Sequence, residues 1–371
     1  RNKLTSFINV AGLAVGLSCS LLIWLWVSDE LSYNRFFPGA KDIYAVHVNA
    51  RFNGDTITMT ASPGPLVDAI QSNVPQVEYS TKITYARDVL LAVGDKALKE
   101  KGVYATAGFF NVFSFKTING NPTNAIASID QIVITRKLAG KYFNTTEAVG
   151  KTIKIDNNKN YIVGAVIENT PRNSTIRFDW VINFKEQEQD WMKTWGNISF
   201  FTYVKLKPNT GLANTLQTKR SIYPKFAPEG FRTVYPTLQS IEDVYLYGDY
   251  KNGKTTGSGR IDYIKIFAAI AIFILLIACM NFMNLATARA SLRAKEIGIR
   301  KVVGAGKSSL IGQFMSESLL TCFLATLLSL GITLLVLPGF NHLFDKDIQL
   351  NFFQPVLWYI VIILVVVTSI I

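Results

Sequence analysis

The sequence predicts an α+β membrane protein in which four helices cross a bilayer and a large mixed α/β domain outside the cytoplasm is inserted between the first and second of them. Three observations carry this prediction. Four stretches are apolar enough to enter a membrane; the clearest runs from Ile266 to Ala286 without an ionisable side chain, and at about 1.5 Å rise per residue it covers roughly 30 Å of hydrocarbon. A long polar stretch, residues 29–261, lies between the first two apolar runs. A basic cluster follows the second run at once, and because each such charge costs about 2.5 to 3.5 kcal/mol at mid-membrane it must lie outside the lipid.

Composition agrees with a protein part in lipid and part in water. A hydrophobic content of 49% over 371 residues and a mean hydropathy of +0.23 exceed the needs of a soluble domain, yet 17% charged residues is too many for a chain wholly in lipid. The net charge of +12 is concentrated: residues 289–307 hold six basic side chains against one acidic, whereas the far longer stretch 28–262 holds 28 against 22. That pattern argues against a dispersed nucleic-acid-binding face. Cys19, Cys279 and Cys322 all fall in apolar segments, so neither a disulfide framework nor a Cys/His metal spacing is present, and no metal or cofactor site is expected.

Arg1 and Lys3, in a cytoplasmic segment 1–6, precede a first span over 7–28 that ends at Trp24 and Trp26 and is followed by Asp29 and Glu30; positive before and acidic after puts the N-terminus in the cytoplasm. The run is about twice the apolar core of a signal peptide and no small-x-small cleavage site follows. Gly12 and Gly16 have the spacing that lets another helix approach closely; two ordinary membrane glycines are the alternative. In 29–261, strands are predicted at Ile43–Val48, Ile132–Thr135 and Phe200–Leu206, and a hairpin joins Lys151–Ile155 to Tyr161–Val166 across Asn157, Asn158, Lys159 and Asn160. Helices are predicted from Pro63 to Ile70, capped by Ser62, and from Arg136 to Phe143. The small polar residues Gly248 to Arg260 read as a mobile loop or tether back to the membrane.

The second span covers 262–286, a cytoplasmic basic segment 287–312, and a third span 313–337 that Pro338 and Gly339 stop. A short outer loop over 338–354, balanced in charge, leads to a fourth span, 355–371, with Trp358 and Tyr359 as interfacial anchors. The apolar run continues to the last residue, so this helix is expected to be truncated and the chain to be part of a longer one.

Gly304 to Ser309, GAGKSS, imitates the end of a phosphate-binding loop, but the spacing requires glycine where Lys301 stands, and no strand precedes it. A turn between a short helix and the third span fits better. In that helix Arg289 and Arg293, and Glu296 and Arg300, lie four apart, giving one cationic face that serves either as a charged stop or as a docking surface. Asn281 and Asn284 suit hydrogen bonding between helices better than a transport site. Glu317 falls at the lipid boundary. His47 and His342 have no partner pattern, Asn144, Asn173 and Asn197 match glycosylation triplets that are common by chance, and no nucleophile and base are arranged in sequence.

This layout resembles the MacB/FtsX family of ABC-transporter permeases. NVAGLAVGLSCSLLI (Asn9–Ile23), FFNVFSFKTINGNP (Phe109–Pro122) and VITRKLAGKYF (Val133–Phe143) resemble that family's first span and MacB-like periplasmic core, which would occupy 29–261. ARASLRAKEIGIRKVVGAGKSSLIGQFMSESLL (Ala288–Leu320) resembles the FtsX-type permease segment, expected over 262–371, and is the most specific part of the likeness. Ser32–Phe37 and Ile43–Val46 resemble the long permeases of Bacteroidetes, which carry two four-span halves; the chain would be the first half. The resemblance implies a non-catalytic, multi-pass permease subunit of the bacterial inner membrane, its large domain in the periplasm, coupling hydrolysis by a separate cytoplasmic ABC ATPase to movement of that domain. Drug, peptide or lipoprotein-like cargo, a second permease half or copy, membrane lipid and a periplasmic or outer-membrane partner are implied, and nucleic acid is not. Arg289, Arg293, Lys295, Glu296, Arg300 and Lys301 would meet the ATPase; Gly12, Gly16, Asn281 and Asn284 would pack helices. The competing reading is a membrane-anchored extracytoplasmic sensor or adhesin, for which one anchor would suffice; a membrane-tethered enzyme lacks any motif.

Overall fold

The computed structural model describes residues 2–210, 215, 221–231, 233–292, 299, 302, 306–350 and 358. The chain divides into two compact units, one of residues 1–31 with 262–371 and one of residues 32–261.

In the first unit, helix α1 (Asn2–Leu31) is built of leucine, valine, alanine and isoleucine with no strong polar face. It runs through Asp29 and Glu30, further than its apolar stretch suggests. Among the described residues three helices are long and apolar enough to cross a membrane, at Phe7–Leu31, Arg260–Leu285 and Met315–Phe344. The predicted fourth span, 355–371, lies outside the described residues except for Trp358, which is helical.

The second unit opens with β1 (Ile43–Phe52) and β2 (Asp55–Met59), a hairpin turned by Asn53 and Gly54 in the left-handed region. Next come β3 (Ser62–Pro63), α2 (Leu66–Asn73), β4 (Val77–Ile83), β5 (Arg87–Val93) and β6 (Lys96–Ala105). They are followed by α3 (Phe109–Val112), β7 (Thr117–Gly120), α4 (Pro122–Ala127), β8 (Gln131–Thr135) and α5 (Arg136–Phe143). The unit continues with β9 (Thr152–Ile155), β10 (Lys159–Ile167), β11 (Trp180–Asn183), β12 (Ile198–Leu206), α6 (Ile222–Phe226), β13 (Tyr235–Ser240) and a small hairpin of β14 (Tyr250–Lys251) and β15 (Lys254–Thr255). Two long helices then complete the first unit, α7 (Arg260–Leu292) and α8 (Lys307–Phe344).

Strands β6, β5, β9, β10, β8 and β11 close on themselves, because β11 pairs antiparallel with β8 and parallel with β6. Residues from all six strands, among them Leu91, Ile134, Ile155, Val163 and Trp180, join Leu138, Ala139 and Tyr142 of α5 in one core cluster. Gly102 is required here, since a Cβ on it would lie 2.0 Å from a Trp180 ring carbon. A second part of the sheet, in the order β4, β12, β1, β13, joins the ring through the pairing of Ile83 with Ala105. Val46, Val48 and Val204 of that part pack with Leu66 and Ile70 of α2 and Tyr223 of α6. A phenylalanine-rich cluster around Phe109, Phe113 and Phe178 forms the remaining core.

Three expectations are corrected. Ser62 does not cap a helix: its hydroxyl bonds Phe200 O and Thr202 Oγ1 at 3.1 and 2.7 Å, and the helix begins only after Pro65, at Leu66. The competition between a cap and a cross-strand partner was decided by β12, distant in sequence. Pro338 does not stop α8, which continues to Phe344 and ends at Asp345 in the left-handed conformation; losing one ladder hydrogen bond leaves the rest of so long a helix intact. Finally, Gly248 to Arg260 is not loose: it contains β14 and β15 and is held by long-range hydrogen bonds. The predicted helix over Arg136–Phe143 and the hairpin of β9 and β10 are present, the turn lying at Asp156 and Asn157, both with positive φ.

Candidate functional site

Within the membrane unit, α1 is seamed to α7 and α8. A Cβ on Gly16 would sit 2.4 Å from Ala278 Cβ, so glycine there is what lets the backbones approach; a Cβ on Gly12 would lie 3.3 Å from Asn281 Nδ2. Asn284 is exposed. Leu13, Ala14 and Leu17 pack with Ala278, Phe282, Cys322 and Ala325. Three hydroxyls in this apolar setting are paired, as burial of a polar group demands. Ser20 donates to Ala271 O at 3.1 Å. Thr333 donates to Ser329 O at 2.8 Å, which leaves its oxygen to accept from Ser18 at 3.0 Å. Ser20, Trp24, Val27, Ala268, Ala271 and Leu275 line an apolar cavity of about 290 Å³ between α1 and α7.

At the far end of α1 lies a buried charge cluster. Lys346 Nζ reaches Asp29 Oδ2 at 2.6 Å and Glu30 Oε1 at 2.8 Å, with Glu30 fully buried. Burial pulls the lysine's pKa down, but hydrogen bonds and charge from the two carboxylates outweigh it and hold it above the ordinary value. Nothing in the local sequence around Asp29, Glu30 or Lys346 announces a pairing of Lys346 with Asp29 across 317 positions.

The predicted ATPase-facing residues are only partly visible. Arg289 belongs to α7, while Arg293, Lys295, Glu296, Arg300 and Lys301 lie outside the described residues, as do Gly304 and Ala305. Gly306 precedes α8, whose first residue is Lys307. Glu317 and His342 are on α8 and exposed.

In the 32–261 unit, His47 on β1 is buried and bonded through Nδ1 to the Tyr250 hydroxyl at 2.7 Å, and that hydroxyl also meets Gln239 Oε1. One hydroxyl proton serves one of the two, so with it on Gln239 the histidine donates from Nδ1. Burial holds His47 at about 4, well below its usual value, and pushes the Tyr250 phenol up. Gln239 Nε2 donates to Tyr247 O at 2.7 Å and Asn49 Nδ2 to Gly253 O at 3.0 Å. These contacts pin the segment expected to be mobile. Asn173 is engaged with Ser32 Oγ at 2.8 Å, and Asn144 is the left-handed cap of α5. Among the described residues no group of His, Cys, Asp and Glu is placed to hold a metal ion.

Comparison with known proteins adds the following. Residues 6–218 match the family described as MacB-like periplasmic core domain, and residues 268–371 match the FtsX-like permease C-terminal family. The macrolide export ATP-binding/permease protein MacB of Neisseria gonorrhoeae is 24% identical over 315 residues, covering 81% of this chain and 45% of that protein. Its counterpart in Rhodopseudomonas palustris is 23% identical over 368 residues, covering 92% and 51%. The chain thus spans about half the length of the curated relatives it matches. Among solved structures, a domain of a putative permease protein from Porphyromonas gingivalis aligns with a TM-score of 0.49 at 21% identity over 55% of this chain and 92% of that one. The periplasmic region of MacB from Actinobacillus actinomycetemcomitans aligns at 0.38 and 13% over 55% and 91%.

Proposed function

The chain belongs to the MacB/FtsX family of permeases, and from that premise we propose that it is the permease subunit of an ABC transporter, working with a separate cytoplasmic ATPase. The observation that carries this is the order along one chain: an apolar helix, a MacB-like domain, a second apolar helix and, directly after it, the basic segment from Arg289 to Lys307. Helix α7 is continuous from Arg260 to Leu292 and so runs from the apolar span to the start of the basic segment. In this reading α1, α7, α8 and a fourth helix over 355–371 cross the inner membrane, with 287–312 in the cytoplasm and 29–261 and 338–354 in the periplasm.

The basic segment that carries Arg289, Arg293, Lys295, Arg300 and Lys301, with Glu296, docks against an acidic groove of the ATPase, where charge sets partner and register more than it adds stability. ATP-driven closure of the ATPase shifts the helices and so the periplasmic domain, extruding drug, peptide or lipoprotein-like cargo that need not pass between the helices. A second permease half or copy completes the transporter; the apolar exposure of Phe273 and Ile277 on α7 suits contact with it or with lipid. The catalytic step belongs to the ATPase.

The test uses the full-length protein with Arg293→Glu and Arg300→Glu together. The variant is expected to insert and to keep its outer domain folded, and to lose both retention of the ATPase in a pull-down and stimulation of its hydrolysis. Undiminished retention and stimulation would make the segment a topological anchor only.

A further inference from the structure

The chain passes into the 32–261 unit immediately after α1 and leaves it after Ile261, the second residue of α7, and within that unit the ingoing and outgoing segments are fastened together. Tyr33, two residues beyond α1, stacks on Tyr245 with ring centroids 3.5 Å apart and planes 2° from parallel. Arg260, which begins α7, holds its guanidinium 4.9 Å from the centroid of the same Tyr245 ring. Asn34, fully buried with φ 59, is a hub beneath them. Its amide donates to Ile241 O at 2.8 Å, its Oδ1 accepts from Thr175 N and Oγ1 at 2.9 and 3.1 Å, and its backbone N–H donates to Asn173 O at 3.0 Å. On the outgoing side Ile261 N–H donates to Leu246 O at 3.1 Å. Gly259, at φ +136, brings backbone against backbone: a Cβ there would lie 2.8 Å from Gly248 N.

We propose that Tyr33, Tyr245 and Arg260, together with the neighbouring Asn34, are positioning residues that form a joint, fastening the ingoing and outgoing ends of the 32–261 unit to each other so that movement arriving at either end is delivered to that unit as a whole. The proposal rests on the permease reading above. Its physical basis is stiffness. A segment of glycine, serine, threonine and lysine such as 248–260 would by composition absorb a displacement as a flexible coil does. Here it is instead tied to β1 and β13 through Asn49, His47 and Gln239, and its last residues lie on Leu246 and Gly248. The aromatic platform at Tyr245 is shared by Tyr33, two residues past the first long helix, and Arg260, which starts the second. Neither contact alone would link them; the shared ring does.

The experiment uses the full-length protein with its ABC ATPase in nanodiscs, the native cysteines replaced by alanine and spin labels on Asp95→Cys in the outer domain and Leu343→Cys on α8, both exposed. The label separation is measured without nucleotide and after trapping with ATP and vanadate. The parent protein is expected to shift on trapping. Tyr33→Ala with Arg260→Ala is expected to lose the shift while ATP hydrolysis continues, and Tyr33→Phe with Arg260→Lys to restore it. Tyr33→Leu, which keeps an apolar contact on Tyr245 and removes the ring stack, guards against a folding artefact: with the domain's amide exchange unchanged, it too loses the shift. A double alanine variant that shifts as the parent does overturns the joint. A parent protein whose ATPase partner hydrolyses ATP without any shift overturns the permease reading itself, and the joint with it.

Discussion

At the scale of single residues, burial converts ordinary side chains into determinants that their local sequence does not announce. His47 sits in an alternating strand and reads as an unremarked histidine, yet burial on β1 beside Tyr250 lowers its pKa to about 4 against an ordinary 6.5. Protonation therefore favours the unfolded chain. The stabilisation is complete above about pH 6.5 and is lost as the pH falls toward 4, a loss on the order of 3 kcal/mol. Urea unfolding of residues 32–261 expressed alone should show the midpoint falling across that window, and His47→Gln should flatten the dependence. An unchanged slope in the variant would assign the acid sensitivity to other groups. Asn34 is the same lesson in backbone form. Its left-handed conformation is held by four hydrogen bonds to Asn173, Thr175 and Ile241, which no window around residue 34 contains.

At the scale of elements, the membrane helices were legible because their signal is length and apolarity, properties of a continuous stretch. How they fit one another is a matter of particular side chains. Gly16→Val is expected to force α1 and α7 apart, since even the first added carbon lies 2.4 Å from Ala278 Cβ, at about 1–3 kcal/mol. Gly12→Ala meets only the movable amide of Asn281 at 3.3 Å and should cost less. Titration with sodium dodecyl sulfate in detergent micelles would rank the two, and the reverse ranking would show that the seam is set elsewhere. The buried charge cluster at Lys346 behaves differently, because its cost lies in what is left behind. Lys346→Met strands the buried Glu30 beside Asp29 and should destabilise by roughly 3–5 kcal/mol. Adding Glu30→Gln should recover most of it in the same titration, and a failure to recover would mean that the lysine acts through packing. Helix α8 also shows where element boundaries escape sequence rules: Pro338 reads as a stop, and the helix runs on to Phe344.

At the scale of the whole molecule, the sequence by itself determined the division of the chain. Hydrophobic runs and the position of the basic cluster depend on composition along a contiguous stretch, so a mixed α/β unit between the first two long apolar helices, and the family resemblance carried by contiguous motifs such as Val133–Phe143, could be read before any coordinate. The strands at Ile43, Ile132 and Phe200 were likewise visible through local periodicity. What only the tertiary structure decided is everything that joins distant positions: the closure of six strands into a ring by β11, the loss of Ser62 as a helix cap to a partner on β12, the pairing of Lys346 with Glu30, and the fastening of the Gly248–Arg260 segment whose composition announces a loose tether. The reason is physical. Local propensity is a weak bias that each residue carries alone, whereas a buried hydrogen bond or ion pair exists only when folding removes water from both partners at once, and the sequence does not say which partner will arrive.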